Sequence, residues 1–77
     1  MQIKFDGDRI RQLRMSLGLS PAMFAKTIET SRQLVNQWEN GEQKPQVGTL
    51  IRICNAHNVP IDYFFVEKNV TYTGEKQ

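Results

Sequence analysis

The sequence predicts a compact all-α domain of about five short helices, to which the two termini could add a small β pairing. Three observations carry this reading. Apolar residues recur at i, i+3 and i+7 in successive segments of about ten residues. Each segment is punctuated by Gly, Asn or Pro. The chain has 77 residues and one cysteine, Cys54, so its stability has to come from helix packing or from association with a second copy.

The first helix runs from about Asp8 to Leu17. Ile10, Leu13 and Leu17 form its stripe, Asp8 is its expected cap, and Gly18 suits a left-handed stop. The second opens with Ser20 as cap and Pro21 at the first helical position, where a missing N–H costs nothing. Phe24, Ala25 and Ile28 face inward, and the helix stops near Glu29-Thr30. The third is capped by Thr30 or Ser31 and ends at "NG", Asn40-Gly41. After the loop "EQKP", the fourth runs from about Val47 to His57, with a stripe of Val47, Leu50, Ile51, Cys54 and His57, and Asn58 suits a left-handed end. A short turn, "IDYFF", follows at Ile61–Phe65. The segments "QIKF" and "NVTYT" alternate apolar and polar residues as strands do, and could pair with each other within one chain or between two; frayed ends fit the pattern as well.

Composition excludes several classes. A lone Cys rules out an intrachain disulfide, and one Cys with one His cannot fill a tetrahedral zinc site. Ten basic against eight acidic residues give a net charge of +2, a mild excess that argues only weakly for nucleic acid. No apolar run approaches membrane-spanning length, and "MQIKFDGDR" lacks the apolar core of a signal peptide. A cytoplasmic protein with no membrane contact is the expectation, which makes the "NVT" sequon at Asn69 a chance match. No nucleophile–base set, carboxylate pair or Gly-rich phosphate loop is visible, so an enzyme is not expected. Cys54 and His57, three apart on an apolar stripe, read as core packing, with no metal or cofactor implied.

The third helix carries the chemistry. On a wheel of about 100° per residue, Leu34, Val35 and Trp38 fall together, and Arg32, Gln33, Asn36, Gln37 and Asn40 fall opposite. The polar face holds no Lys–Glu pairs of the kind that merely support a helix. It presents amides and a guanidinium, and Gln or Asn can bind adenine bidentately as Arg can bind guanine. On the wheel alone, a solvated face that happens to be amide-rich fits equally. The context favours base reading. A short helix, a tight break and a second helix are the geometry that lets the second helix enter a major groove.

"LRMSLGLS" (Leu13 to Ser20), "FAKTIETSRQLVNQWENG" (Phe24 to Gly41), "KP" (Lys44-Pro45) and "TLIRICNAHNVPIDYFF" (Thr49 to Phe65) together resemble the helix-turn-helix domain of the lambda-repressor-like, or XRE-type, regulators. The resemblance covers roughly three quarters of the chain. It implies a five-helix lambda-repressor-like domain over residues 8–65, between an N-terminal arm at 1–7 and a tail at 66–77 available as strand or dimer contact. It implies a homodimer on a pseudo-palindromic double-stranded DNA operator. By position, Ser31, Arg32, Gln33 and Gln37 would read bases with Asn36 close by, Asn40 and Lys44 would hold phosphates, and Glu39 would pair with Arg14 of the first helix. The chain departs from the pattern at Pro21, where the family often has a phosphate-holding Gln, so a contact there falls to Ser20 or a backbone N–H. It departs again at Glu29, where the family often has Gly and a positive φ would cost about 1 kcal/mol.

The expected function is a sequence-specific transcriptional regulator, a repressor or controller. The alternative is a protein-interaction module, such as an antitoxin that masks a toxin. The aromatic C-terminal end favours it: some of Tyr63, Phe64, Phe65, Val66 and Tyr72 must close the core, and the remainder could form a partner patch.

Overall fold

The computed structural model describes residues 2–68. In chain order they form strand β1 (Gln2–Phe5), helices α1 (Gly7–Ser16), α2 (Pro21–Thr27), α3 (Arg32–Glu39) and α4 (Val47–His57), a 3-10 turn over Ile61–Phe64, and strand β2 (Phe65–Lys68). The architecture is mostly helical, with a small terminal sheet and one correction to the expected five helices. Four α-helices are present among the described residues, because the expected fifth is only the 3-10 turn: it is entered from extended Pro60, and the backbone is extended again at Phe65. Among the described residues the partner of "QIKF" is Phe65–Lys68. The two strands are antiparallel, with Gln2 opposite Lys68 and Phe5 opposite Phe65. The Asp6 N–H, which donates to the Phe64 carbonyl at 2.8 Å, adds one more rung. "NVTYT", the Asn69 sequon and Tyr72 lie outside the described residues.

Local chemistry explains the helix ends. Asp6, and not Asp8, caps α1: its Oδ1 accepts from the Asp8 N–H at 3.0 Å, and Asp8 becomes an acidic residue of the first turn, where the helix dipole favours it. Ser20 and Ser31 cap α2 and α3 by accepting from the Met23 and Leu34 N–H groups. At the other ends, Gly18, Glu29, Gly41 and Asn58 all have positive φ. Each lets the next N–H fold back onto a carbonyl of the last turn: Leu19 onto Arg14, Thr30 onto Ala25, Glu42 onto Gln37 and Val59 onto Cys54, at 2.9–3.2 Å. This closure is the reason a left-handed residue is needed there. Glu29 (φ 58°) accepts the conformation at a cost of about 1 kcal/mol. Its turn is held from outside as well, since Arg52 Nη1 donates to the Ile28 carbonyl at 3.1 Å.

The core draws on every helix: Ile10 and Leu13, Phe24, Ala25 and Ile28, Val35 and Trp38, Leu50 and Ile53, closed by Phe64 of the 3-10 turn. On α4 the stripe differs from expectation. Leu50 and Ile53 are buried, Cys54 and His57 are half-buried, and Val47 and Ile51 are exposed. Apolar residues occupy more than one face of this helix, so periodicity could not fix the centre of the stripe, and packing against Phe64 and α2 did. His57 stacks on Phe24 (centroids 5.1 Å apart) and its Nε2 lies 2.8 Å from Thr27 Oγ1. Burial holds its pKa below the ordinary histidine range, so desolvation outweighs the gain that a helix C-terminus offers a protonated ring. Among the described residues the aromatic end is largely spent inside. Phe64 is fully buried, Tyr63 lies edge-on to it and under Arg9, and Phe5 meets Phe65 edge-on at 6.0 Å.

Two contacts join α1 to the end of α3. Gly7 lies so close to the Trp38 carbonyl that a β-carbon there would collide with backbone, and Glu39 Cα is also within ordinary contact of it. Glu39 itself is buried, and Arg14 meets it with a two-pronged bond, Nε to Oε2 at 2.7 Å and Nη2 to Oε1 at 3.2 Å. Arg14 Nη1 donates onward to the Leu19 carbonyl at 2.9 Å. Because neither backbone element can yield at Gly7, Gly7→Ala should cost about 2 kcal/mol or more. Gly48, in the first turn of α4 with open space around it, should gain roughly 0.5 kcal/mol as Gly48→Ala. Urea unfolding of the two variants checks the contrast. In a double-mutant cycle, Arg14→Ala and Glu39→Ala should each cost about 3 kcal/mol and show coupling above about 1 kcal/mol; additive costs would mean the pair contributes nothing as a pair.

Candidate nucleic-acid interface

The turn between α2 and α3 spans Ile28–Ser31, and its geometry decides which way α3 faces. Thr30 bonds back to Ala25, Ser31 starts α3, and Val35 and Trp38 enter the core. Leu34 is half-buried beside them. With those residues committed inward, the 3.6-residue period turns Arg32, Gln33 and Asn36 outward, and all three are exposed. Gln37 sits half-buried at the edge of that face. Among the described residues, none of these four side chains makes a hydrogen bond to the protein, so their donors and acceptors are uncommitted. Ser31 is exposed, and its Oγ is occupied as an acceptor by the Leu34 N–H; its own O–H is left to donate.

Asn40 and Lys44 lie past the end of α3, both exposed. Asn40 is the C-cap residue, with its backbone N–H bonded to the Asn36 carbonyl at 3.0 Å, so only its side chain is available outward. Lys44 lies on the rim of a hollow of about 240 Å³, floored by Leu34 and Trp38 and edged by Thr30 and Thr49. Next to it α4 begins without a side-chain cap, which leaves its first N–H groups open to an outside acceptor. The fold thus brings Arg32, Gln33, Asn36 and Gln37 onto one helix, with Ser31 as its N-cap and Asn40 and Lys44 just beyond its end. Ser20 stands apart at the start of α2, exposed, its Oγ occupied by the Met23 N–H.

Three residues that help to shape this surface escaped the sequence reading. Gly7 and Arg52 act through backbone contacts with distant segments, for which a single sequence holds no signal. Arg11 had one: Asp8, Arg11 and Arg14 follow each other at i+3 along one side of α1. In the fold Arg11 Nη1 lies 3.3 Å from Asp8 Oδ1, Nε 3.5 Å from Glu39 Oε1, and Nη2 3.4 Å from Asn40 Oδ1. Cys54 and His57, by contrast, take part in packing, and the Cys54 thiol is pushed up by burial.

The comparisons with known proteins agree with this geometry. The Helix-turn-helix family model matches residues 10–64. A curated relative, an uncharacterized transcriptional regulator in the ATPase CF(0) region of Rhodospirillum rubrum, is 39% identical over 59 residues, covering 77% of this chain and 55% of that protein. An uncharacterized HTH-type transcriptional regulator of Rickettsia prowazekii is 36% identical over 61 residues, 79% of this chain and 47% of that one. The chain spans about half the length of the curated relatives it matches. Among solved structures, the P22 c2 repressor in complex with synthetic operator 9T superposes with a TM-score of 0.72 at 30% identity, covering 79% of this chain and 92% of that one. The restriction-modification controller protein C.AhdI from Aeromonas hydrophila gives 0.70 at 25%, with 77% and 86% covered. With a family model matched over most of its length and a helix-turn-helix built as described, the chain belongs to the lambda-repressor-like helix-turn-helix family.

Proposed function

We propose that this protein is a sequence-specific double-stranded DNA-binding transcriptional regulator, a repressor or controller that acts as a homodimer on a pseudo-palindromic operator. The observation that carries the reading is the outward face of α3: a guanidinium and several carboxamides, exposed and uncommitted, on the second helix of a helix-turn-helix. Arg32, Gln33 and Gln37, with Ser31 and Asn36 beside them, read base edges in the major groove, where such groups match adenine and guanine bidentately. Asn40, Lys44 and Ser20 grip phosphates and set register without reading sequence. The similarity to a repressor solved on its operator and to a controller protein supports the same reading. Exposed Val47 and Ile51, one turn apart on α4, are apolar surface that a dimer would cover.

Selection from random duplexes tests the proposal as a whole. It should return a two-fold-related consensus with half-sites about one helical turn apart; recovery of no motif would leave a protein-interaction role as the better account. On the selected duplex, Arg32→Ala should cost about 1–3 kcal/mol and relax preference at one base pair. Lys44→Ala should weaken all sequences alike and flatten the slope of log K against log salt by about one. Binding isotherms at several salt concentrations separate the two signatures, and equal losses on all sequences for Arg32→Ala would remove it from the reading set.

A further inference from the structure

We propose that Arg11 is a positioning residue that turns the carboxamide of Asn40 so that its amino group faces the DNA backbone. The inference rests on the reading of Asn40 as a phosphate contact. A phosphate oxygen accepts hydrogen bonds only, so Asn40 can bind it through Nδ2 and not through Oδ1. The backbone N–H of Asn40 is already spent inside α3, and its exposed side chain is free to present either end. Arg11 removes that freedom: a guanidinium has donors alone, so its Nη2, 3.4 Å from Asn40, holds the Oδ1 end and directs Nδ2 away. The guanidinium is itself held on its other edges, by Asp8 through Nη1 and by Glu39 through Nε. Asp8 is braced in turn by Gln12 Nε2 at 2.9 Å, and Glu39 by Arg14. Two carboxylates stand against the two guanidinium groups, so this corner offers a DNA strand an oriented amide more than a surplus of charge.

The test is a double-mutant cycle on the duplex recovered by selection, with thermal melts to confirm that each variant is folded. Arg11→Met and Asn40→Ala should each weaken binding about tenfold, and the double variant by about the same tenfold, because both remove one contact. The salt slope of Arg11→Met should stay close to that of the parent, whereas loss of a direct guanidinium–phosphate contact flattens it by about one. Should Arg11→Met fail to fold, Arg11→Lys serves in its place. It keeps the charge but offers a single ammonium where three partners must be held, so its affinity should remain near the tenfold-weakened level. Losses that multiply in the double variant, a flattened slope, or full rescue by Arg11→Lys would each overturn the proposal. Normal binding by Asn40→Ala would refute the phosphate role of Asn40 itself and take the inference with it. Normal binding by Arg11→Met, with Asn40→Ala impaired, would refute the positioning role alone.

Discussion

A carboxylate taken out of water must be compensated, and the way Glu39 is compensated fixes where α3 stands. Its side chain is 4% exposed and meets Arg14 at 2.7 Å. Such a pair is not a large source of stability in itself, since desolvation offsets most of the attraction, but losing one partner leaves a buried charge that the fold tolerates poorly. The consequence is geometric. Arg14 belongs to α1 and also binds the Leu19 carbonyl just before α2, so one guanidinium ties α1 and the connection into α2 to the place where α3 ends. Gly7 presses α1 onto the same Trp38-Glu39 backbone. A helix anchored so firmly at its C-terminal end presents its outward face in one orientation, which lowers the cost of ordering side chains on a partner.

The rest of α3 divides cleanly between holding and presenting. Val35 and Trp38 are spent in the core, Glu39 in the ion pair, and Arg32, Gln33 and Asn36 on the surface. The turn before it is the strained part, with Glu29 in a conformation suited to glycine. That strain is offset locally, by the Thr30–Ala25 closure and by Arg52 on the Ile28 carbonyl. The terminal strands complete the frame, because the rung between Asp6 and Phe64 fastens the start of α1 to the end of the chain's core.

The elements that were legible in the sequence are those whose signals are local. Ser20-Pro21, the Thr30-Ser31 pair and Asn40-Gly41 marked the helix-turn-helix because caps and left-handed stops act within a turn of the residue that makes them. Trp38, Phe24 and Ile28 were legible as core because each falls within an unambiguous stripe. The failures have the opposite character. On α4 the apolar residues wrap around the helix, and only contact with Phe64 and α2 selected Ile53 over Ile51. Asp6 displaced Asp8 as cap because Gly7 could already enter the helix against Trp38. The strand that pairs with "QIKF" among the described residues, "FVEK", was not legible because it carries no apolar–polar alternation, and register depends on where the 3-10 turn leaves the chain. At the candidate interface the α3 residues were visible from their spacing, while Arg11 and Gly7 act on α3 from α1 and required the fold.

The central claim, that the outward face of α3 meets bases while its end meets phosphates, is tested most directly by NMR of the side-chain amides during titration with the selected duplex. The account predicts intermolecular contacts from Gln33, Asn36 and Gln37 amides and the Arg32 guanidinium to major-groove base edges, with Asn40 and Lys44 near the sugar–phosphate backbone. Perturbations confined to β1, β2 and the exposed face of α4, with the α3 amides unmoved, would contradict it.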